Sequence, residues 1–314
     1  MMQPRLAHLL RLRSGRDGFI VVAVLWILAA LATLVTIFSM YVINTATAFT
    51  VHDERLQAEG LARAALELSV YRATAAPQGQ TATRGSFLFR LGTALVNAEF
   101  VSEAARIDLN AAPKDLLSGL FAGLGASRGQ ADGYADRILG WRNPPPQDNS
   151  GPNEAANYRA AGMMYGPRGA PFQHPGELGL VLGIPEFMVT RALPYLTVYS
   201  GQPQVDIFNA SPQVLAALPG MDPQRLQAIL VQRASAPQNE QTVRALLAML
   251  GAGQTFASAQ GSKSLRVTAR IAFDSGQRMT TEAVIFLLDS GTDPYRILTW
   301  HDDMDDTPAN RGAR

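Results

Sequence analysis

Groups able to do chemistry are sparse in this chain of 314 residues. The four histidines, His8, His52, His174 and His301, are far apart, cysteine is absent, and neither a Gly-rich nucleotide loop nor His-Glu-x-x-His occurs. No catalytic constellation is expected, so the chain reads as a non-enzymatic protein. Oxygen ligands are the one temptation. Asp148 and Asn149, with Asn153 and Glu154, could contribute to a calcium site, but calcium takes about 6 to 8 converging oxygens and this spacing fits no calcium loop. No cofactor is therefore expected, with calcium the sole candidate. A second acidic stretch, Asp289, Asp293, Asp302, Asp303, Asp305 and Asp306, reads as solvated, with residues 301–314 an unstructured tail. The remaining reactive point is a peptide bond. Gly18-Phe19 stands where a head carrying Arg5, Arg11, Arg13 and Arg16 meets residues 19–51, which hold no charge.

That asymmetry assigns the elements around the junction. Cationic flanks stay cytoplasmic and an apolar helix of roughly 20 residues crosses the hydrocarbon, so the head stays inside and the chain after about Val51 is exported. Three readings fit the run: a secretory signal, whose apolar part is shorter at about 7 to 15 residues, a plain single-span anchor, and a leader cut at Gly18 itself. Beyond the membrane, Leu56, Leu61, Ala64, Ala65, Leu68 and Tyr71 recur at helical steps, which predicts an amphipathic extension ended by Pro77-Gln78-Gly79. Residues 87–91 and 100–109 read as strands. Far downstream, Leu265, Val267, Ala269, Ile271 and Phe273 alternate with Arg266, Thr268, Arg270 and Ala272, Asp274-Ser275-Gly276 turns the chain, and residues 279–288 and 296–300 return as strands. Two strand-rich parts so far apart predict one sheet interrupted by insertions.

Gly18-Phe19-Ile20-Val21-Val22-Ala23-Val24-Leu25-Trp26-Ile27-Leu28 resembles the signal of type IV pilins and type II secretion pseudopilins. The resemblance implies that a prepilin peptidase cuts after Gly18, that the new amino terminus Phe19 is N-methylated, and that the apolar helix stays on the mature subunit. Most such subunits carry glutamate at the fifth mature position, where it is thought to pair with the terminal amine of a neighbour. Ala23 stands there in this chain, as is known of the minor pseudopilin K family.

The middle of the chain repeats. Asn110-Ala111-Ala112-Pro113-Lys114-Asp115-Leu116 and Asn209-Ala210-Ser211-Pro212-Gln213-Val214-Leu215 align without gaps 99 residues apart, each after a strand-like stretch and with proline placed for the first turn of a helix. Both copies run on like helix-hairpin-helix modules, around Gly123-Leu124-Gly125 and Gly220-Met221-Asp222. Such hairpins can offer backbone N–H groups to a phosphate. Here Asp222 sets a carboxylate at that place, and nearby cations are few: Arg128, Arg137, Arg142, Arg225 and Arg233. Without residues 1–18 the 27 Lys+Arg lose four and the 26 Asp+Glu lose one, leaving 23 against 25, which argues against nucleic acid as a partner. A membrane-anchored DNA receptor of the competence type is the alternative reading.

Asn-x-x-Pro segments opening sterile-alpha-motif-like units inside a pilin-like sheet also resemble pseudopilin K, as do Ile138-Leu139-Gly140-Trp141-Arg142-Asn143-Pro144 and a following helix at 172–182. The resemblance implies an α+β fold: a long N-terminal transmembrane helix packed on an antiparallel sheet, with large helical insertions. Its divisions would be a leader at 1–18, a membrane helix at 19–43, its periplasmic extension at 44–76, sheet at 77–108, insertions at 109–195 and 209–253 around a connecting strand at 196–208, and closing strands at 254–300. It further implies a single-pass protein of the bacterial inner membrane with its bulk in the periplasm. The partners implied are other minor pseudopilins, the major pseudopilin, the prepilin peptidase and the inner-membrane assembly platform.

Overall fold

The structure, a computed structural model, describes residues 16–75, 82–144, 154–235, 239–289 and 293–305. It divides into two units, Met1–Glu59 and Gly60–Arg314. The described residues of the first are a stretch of a single helix, α1 (Arg16–Thr74), which continues into the second. No proline or glycine interrupts residues 19–59. Within it, Phe19–Thr45 is 27 residues of apolar helix, about 40 Å at the usual rise, long and apolar enough to cross a membrane. The hydroxyls of Thr33, Thr36 and Thr45 donate to the carbonyls of Ala29, Ala32 and Tyr41, so these polar groups enter an apolar setting already paired.

In the second unit the chain runs from the end of α1 through β1 (Arg84–Leu91), β2 (Ala94–Ser102), β3 (Ile107–Asp108), α2 (Lys114–Gly123), α3 (Arg128–Arg142), α4 (Glu154–Ala160), α5 (Glu186–Ala192) and β4 (Leu196–Thr197). It continues through β5 (Val205–Asp206), α6 (Pro212–Ala216), α7 (Pro223–Ser235), α8 (Glu240–Met249), β6 (Ala257–Ser258), β7 (Ser264–Phe273), β8 (Arg278–Leu287) and β9 (Tyr295–Asp305). Five of the strands form an antiparallel sheet in the order β1-β2-β7-β8-β9. Strand β2 therefore lies beside β7, and residues 103–263 are an insertion between neighbours. The period-two alternation read from the sequence is the pleat: Leu265, Val267, Ala269, Ile271 and Phe273 are all buried. Their partners Ser102, Phe100, Ala98, Val96 and Ala94 are buried on the same face. Leu61, Ala62, Ala65, Leu66, Val70 and Ala73 of α1 are buried too, and the Arg72 guanidinium lies 4.5 Å from the centre of the Phe87 ring. The expected α+β class, helix and antiparallel sheet with helical insertions, is borne out.

Several finer expectations change. Residues 301–305, assigned to an unstructured tail, are strand: β9 runs through them, pairing Asp302 with Thr281 and Asp303 with Thr280. A bulge at Leu298 interrupts the pairing within the part read as strand, and it is the run of acids after Trp300 that reads as a tail. Residues 154–160 form α4, and the helix expected at 172–182 is a short 3-10 turn, Pro175–Leu180. Pro77-Gln78-Gly79 lies outside the described residues; α1 itself ends at Thr74.

The two helical units share one core, in which Leu116, Leu117, Leu120, Phe121, Ile138, Val214, Leu215, Ile229 and Leu246 are buried together. Their closest approach is backbone to backbone. A Cβ placed on Gly119 of α2 would fall on the carbonyl oxygen of Ala217, the cap of α6, whereas one on Gly123 meets nothing within 4 Å. Gly119→Ala should therefore lower stability by about 1–3 kcal/mol through overpacking, and Gly123→Ala should not; thermal unfolding of the detergent-solubilised chain checks the pair.

Candidate functional site

Gly18, Phe19 and Ala23 all lie on α1. Around them the apolar side chains are bare: Phe19, Trp26 and Tyr41 are 76%, 75% and 68% exposed. A helix with apolar residues on every side needs lipid or other helices to cover it.

In the second unit the polar centre is a carboxylate that no motif announces. Glu103 follows β2 directly and is fully buried. Arg266 of β7 grips it with Nε to Oε1 at 2.7 Å and Nη2 to Oε2 at 3.1 Å. Arg106 donates to Oε1 at 3.1 Å and, through Nε, to the Pro194 carbonyl at 2.9 Å. The Thr197 hydroxyl of β4 donates to Oε2, and Arg266 also reaches Glu282 of β8. One side chain thus joins the place where the insertion leaves the sheet, the strand that closes its first helical unit, and two sheet strands. Burial pushes the Glu103 carboxyl pKa up, but the hydrogen bonds and charges of Arg266 and Arg106 outweigh it and leave it below the ordinary glutamate range. Nearby, the Ser262 N–H donates to Ser102 Oγ at 2.8 Å, pinning the returning chain beside the departing one.

Each helical unit is closed at its base in the same way. β3 pairs with β4 and β5 with β6, both parallel, and the Leu109 and Ile207 N–H groups donate to the carbonyls of Thr197 and Ser258. Asp108 and Asp206, both buried, turn the chain into the next helix. Asp108 Oδ1 accepts from the Asn110 N–H at 2.7 Å and Oδ2 from Ser200 Oγ and the Gly201 N–H. Asp206 accepts from the Phe208 N–H at 2.9 Å and from Asn209 Nδ2 at 2.6 Å. Burial pushes the Asp206 carboxyl pKa up against the pull of those bonds. Arg142 then donates to the carbonyls of Leu109 and Ala112, and Arg233 to those of Ile207 and Ala210. These matched contacts set the structural repeat at 98 residues (Asp108 to Asp206, Ala112 to Ala210), not the 99 of the ungapped alignment: Phe208 stands where Asn110 does in the first turn, and Asn209 where Ala111 does. The two asparagines that suggested 99 do different work: Asn110 exchanges two hydrogen bonds with the Phe172 backbone, while Asn209 reaches Thr83.

Other expected groups are placed as follows. Asp148, Asn149 and Asn153 lie outside the described residues, whereas Glu154 opens α4 and pairs with Arg137 at 2.7 Å. Among the described residues no group of three or more acidic, histidine or cysteine side chains converges. Asp222 accepts from the Arg225 N–H at the start of α7, and Arg225 donates to the Gly220 carbonyl, so this hairpin is closed by its own side chains. Gly125-Ala126-Ser127-Arg128-Gly129 has the spacing Gly-x-Ser-x-Gly, which the sequence reading passed over. Ser127 is the N-cap of α3, in a capping box with Gln130.

The first helical base and Glu103 lie within a recognisable segment. Residues 94–201 match the family model described as type II secretion system protein K. That stretch of the chain is similar to a protein K domain. That domain spans β2 to just beyond β4 and so includes Glu103, Asp108, Asn110 and Thr197, which sets the resemblance first seen at Gly18 on a second, independent stretch. By structure, the chain is similar to one in the crystal structure of the GspK–GspI–GspJ complex from the enterotoxigenic Escherichia coli type 2 secretion system. That likeness has a TM-score of 0.51 at 18% identity and covers 79% of this chain and 94% of the other; it is a likeness of fold. No curated protein matches.

Removing Glu103 leaves Arg106 without a carboxylate and Arg266 with Glu282 alone, so Glu103→Ala should cost about 3 kcal/mol of stability. The pH dependence follows from its depressed pKa. The unfolded chain binds the proton more readily, so the joint contributes fully above the unfolded glutamate range and is lost as pH falls through the folded pKa. Melting temperature followed from pH 7 downward should fall less steeply on the acid side in Glu103→Gln than in the native chain.

Proposed function

We propose that the chain is a minor pseudopilin of the type II secretion system, seated at the tip of the periplasmic pseudopilus and taking part in protein export across the outer membrane. The observation that carries this reading is the coincidence, in one chain, of a bare apolar helix behind a Gly18-Phe19 junction and a protein K domain inserted into a pilin-like sheet. In this reading the helix lies in the bacterial inner membrane, with its arginine-rich head in the cytoplasm and the second unit in the periplasm. The prepilin peptidase then cuts after Gly18, Phe19 is N-methylated, and the helix moves onto partner helices of the fibre. Ala23 supplies no carboxylate for the terminal amine of a following subunit, and the helical units make the globular part too wide to repeat along a uniform fibre. Both features suit the end of the fibre.

The neighbouring structure is a complex of GspK with GspI and GspJ, which supports other minor pseudopilins as partners here. The major pseudopilin and the inner-membrane assembly platform complete the list. The calcium candidates, Asp148, Asn149, Asn153 and Glu154, stay a proposal of loop chemistry only.

Processing gives the test. The mature protein should begin at N-methylated Phe19 by mass spectrometry, and a bulky substitution at Gly18 should leave a longer, unprocessed band and abolish secretion. Normal processing in that variant, or an amino terminus elsewhere, would reduce the chain to an ordinary anchored periplasmic protein.

A further inference from the structure

The five-stranded sheet ends in two edges of opposite character. At one lies β1, which carries Arg84 and Arg90 and no acid. At the other lies β9, whose sequence ends Asp302-Asp303-Met304-Asp305. β9 is long, and it is held firmly from behind. It pairs with β8 over its length, the Tyr295 hydroxyl donates to Glu67 at 2.7 Å, and Asp302 accepts from both Thr281 and Trp300. Its far side has no strand against it among the described residues. Ile297, Leu298, His301 and Asp303 are exposed along it. Isolated edges of this length invite pairing unless covered, because every second residue points an unpaired N–H and C=O outward.

We propose that the free edge of β9 is a docking surface for an extended, basic segment of a partner pseudopilin, which adds a sixth strand to the sheet. The main chain would supply affinity and the acids would supply selection, as in other strand-addition interfaces. The occupant is a partner's strand and not a second copy of this chain. A second copy could offer its basic β1 to β9, but that contact is head to tail and leaves a fresh edge each time, so it would propagate into an open fibre. A single subunit at a tip forbids this. The proposal rests on the minor-pseudopilin reading given above.

The test is hydrogen–deuterium exchange of the full chain in detergent, alone and after co-purification with the two partner minor pseudopilins of the same system. Alternate amides of residues 295–303 should exchange at least about tenfold more slowly in the complex. Asp303→Lys should weaken co-purification several-fold while β8 exchange stays native, which separates lost recognition from lost folding. A complex that forms with β9 exchange unchanged overturns the proposal and leaves the pseudopilin reading standing. Protection of β9 by self-association of this chain alone also overturns it, and failure of any complex to form removes it together with that reading.

Discussion

A single buried carboxylate sets how this molecule is joined. Glu103 costs free energy to desolvate, and its bonds to Arg266, Arg106 and Thr197 offset that cost only when all four side chains meet. Such a group acts as a registry device. It holds the exit of residues 103–263 against β7, to which the chain returns only after both helical units are built. Without it, the insertion would be held to the sheet region by its two chain crossings and by single hydrogen bonds, Ser262 to Ser102, Ser264 to the Tyr199 carbonyl and Asn209 to Thr83.

The same economy recurs inside the insertion. Two strand-aspartate-turn bases, at Asp108 and Asp206, are each closed by a parallel bridge and locked by an arginine from a later helix. The arginines that might have faced a phosphate, Arg142 and Arg233, are thereby spent on backbone carbonyls. The second hairpin is closed by Asp222 and Arg225, and the units pack on each other through Gly119 so closely that no side chain fits between.

What the sequence made legible was periodic or covalent. The apolar run of α1 and the alternation from Leu265 to Phe273 depend on neighbours in the chain, so their patterns survive as text. The interruption of the sheet followed from those patterns. The Glu103 joint did not, because its members lie at positions 103, 106, 197 and 266 and nothing local connects them; the only hint was a glutamate set between Ser102 and Ala104-Ala105. β9 was half-read for a different reason: residues 296–300 read as strand, and the acids after them masked the rest of an edge strand as a tail. The repeat was found, but its identities misled by one residue, since hydrogen bonding and not residue type defines the turn.

Function follows from the way the two units divide labour. On the proposed reading, the apolar helix of the first unit is what a fibre subunit shares with its neighbours, able to pack against like helices or lipid. On the same reading, the second unit, with its two helical units inserted in the sheet, takes the end of the fibre, where nothing need stack above it. Gold labelling with an antibody against the helical units on sheared pseudopili tests this most directly. The account predicts label at one end of each fibre and nowhere else; label distributed along the fibre would contradict it.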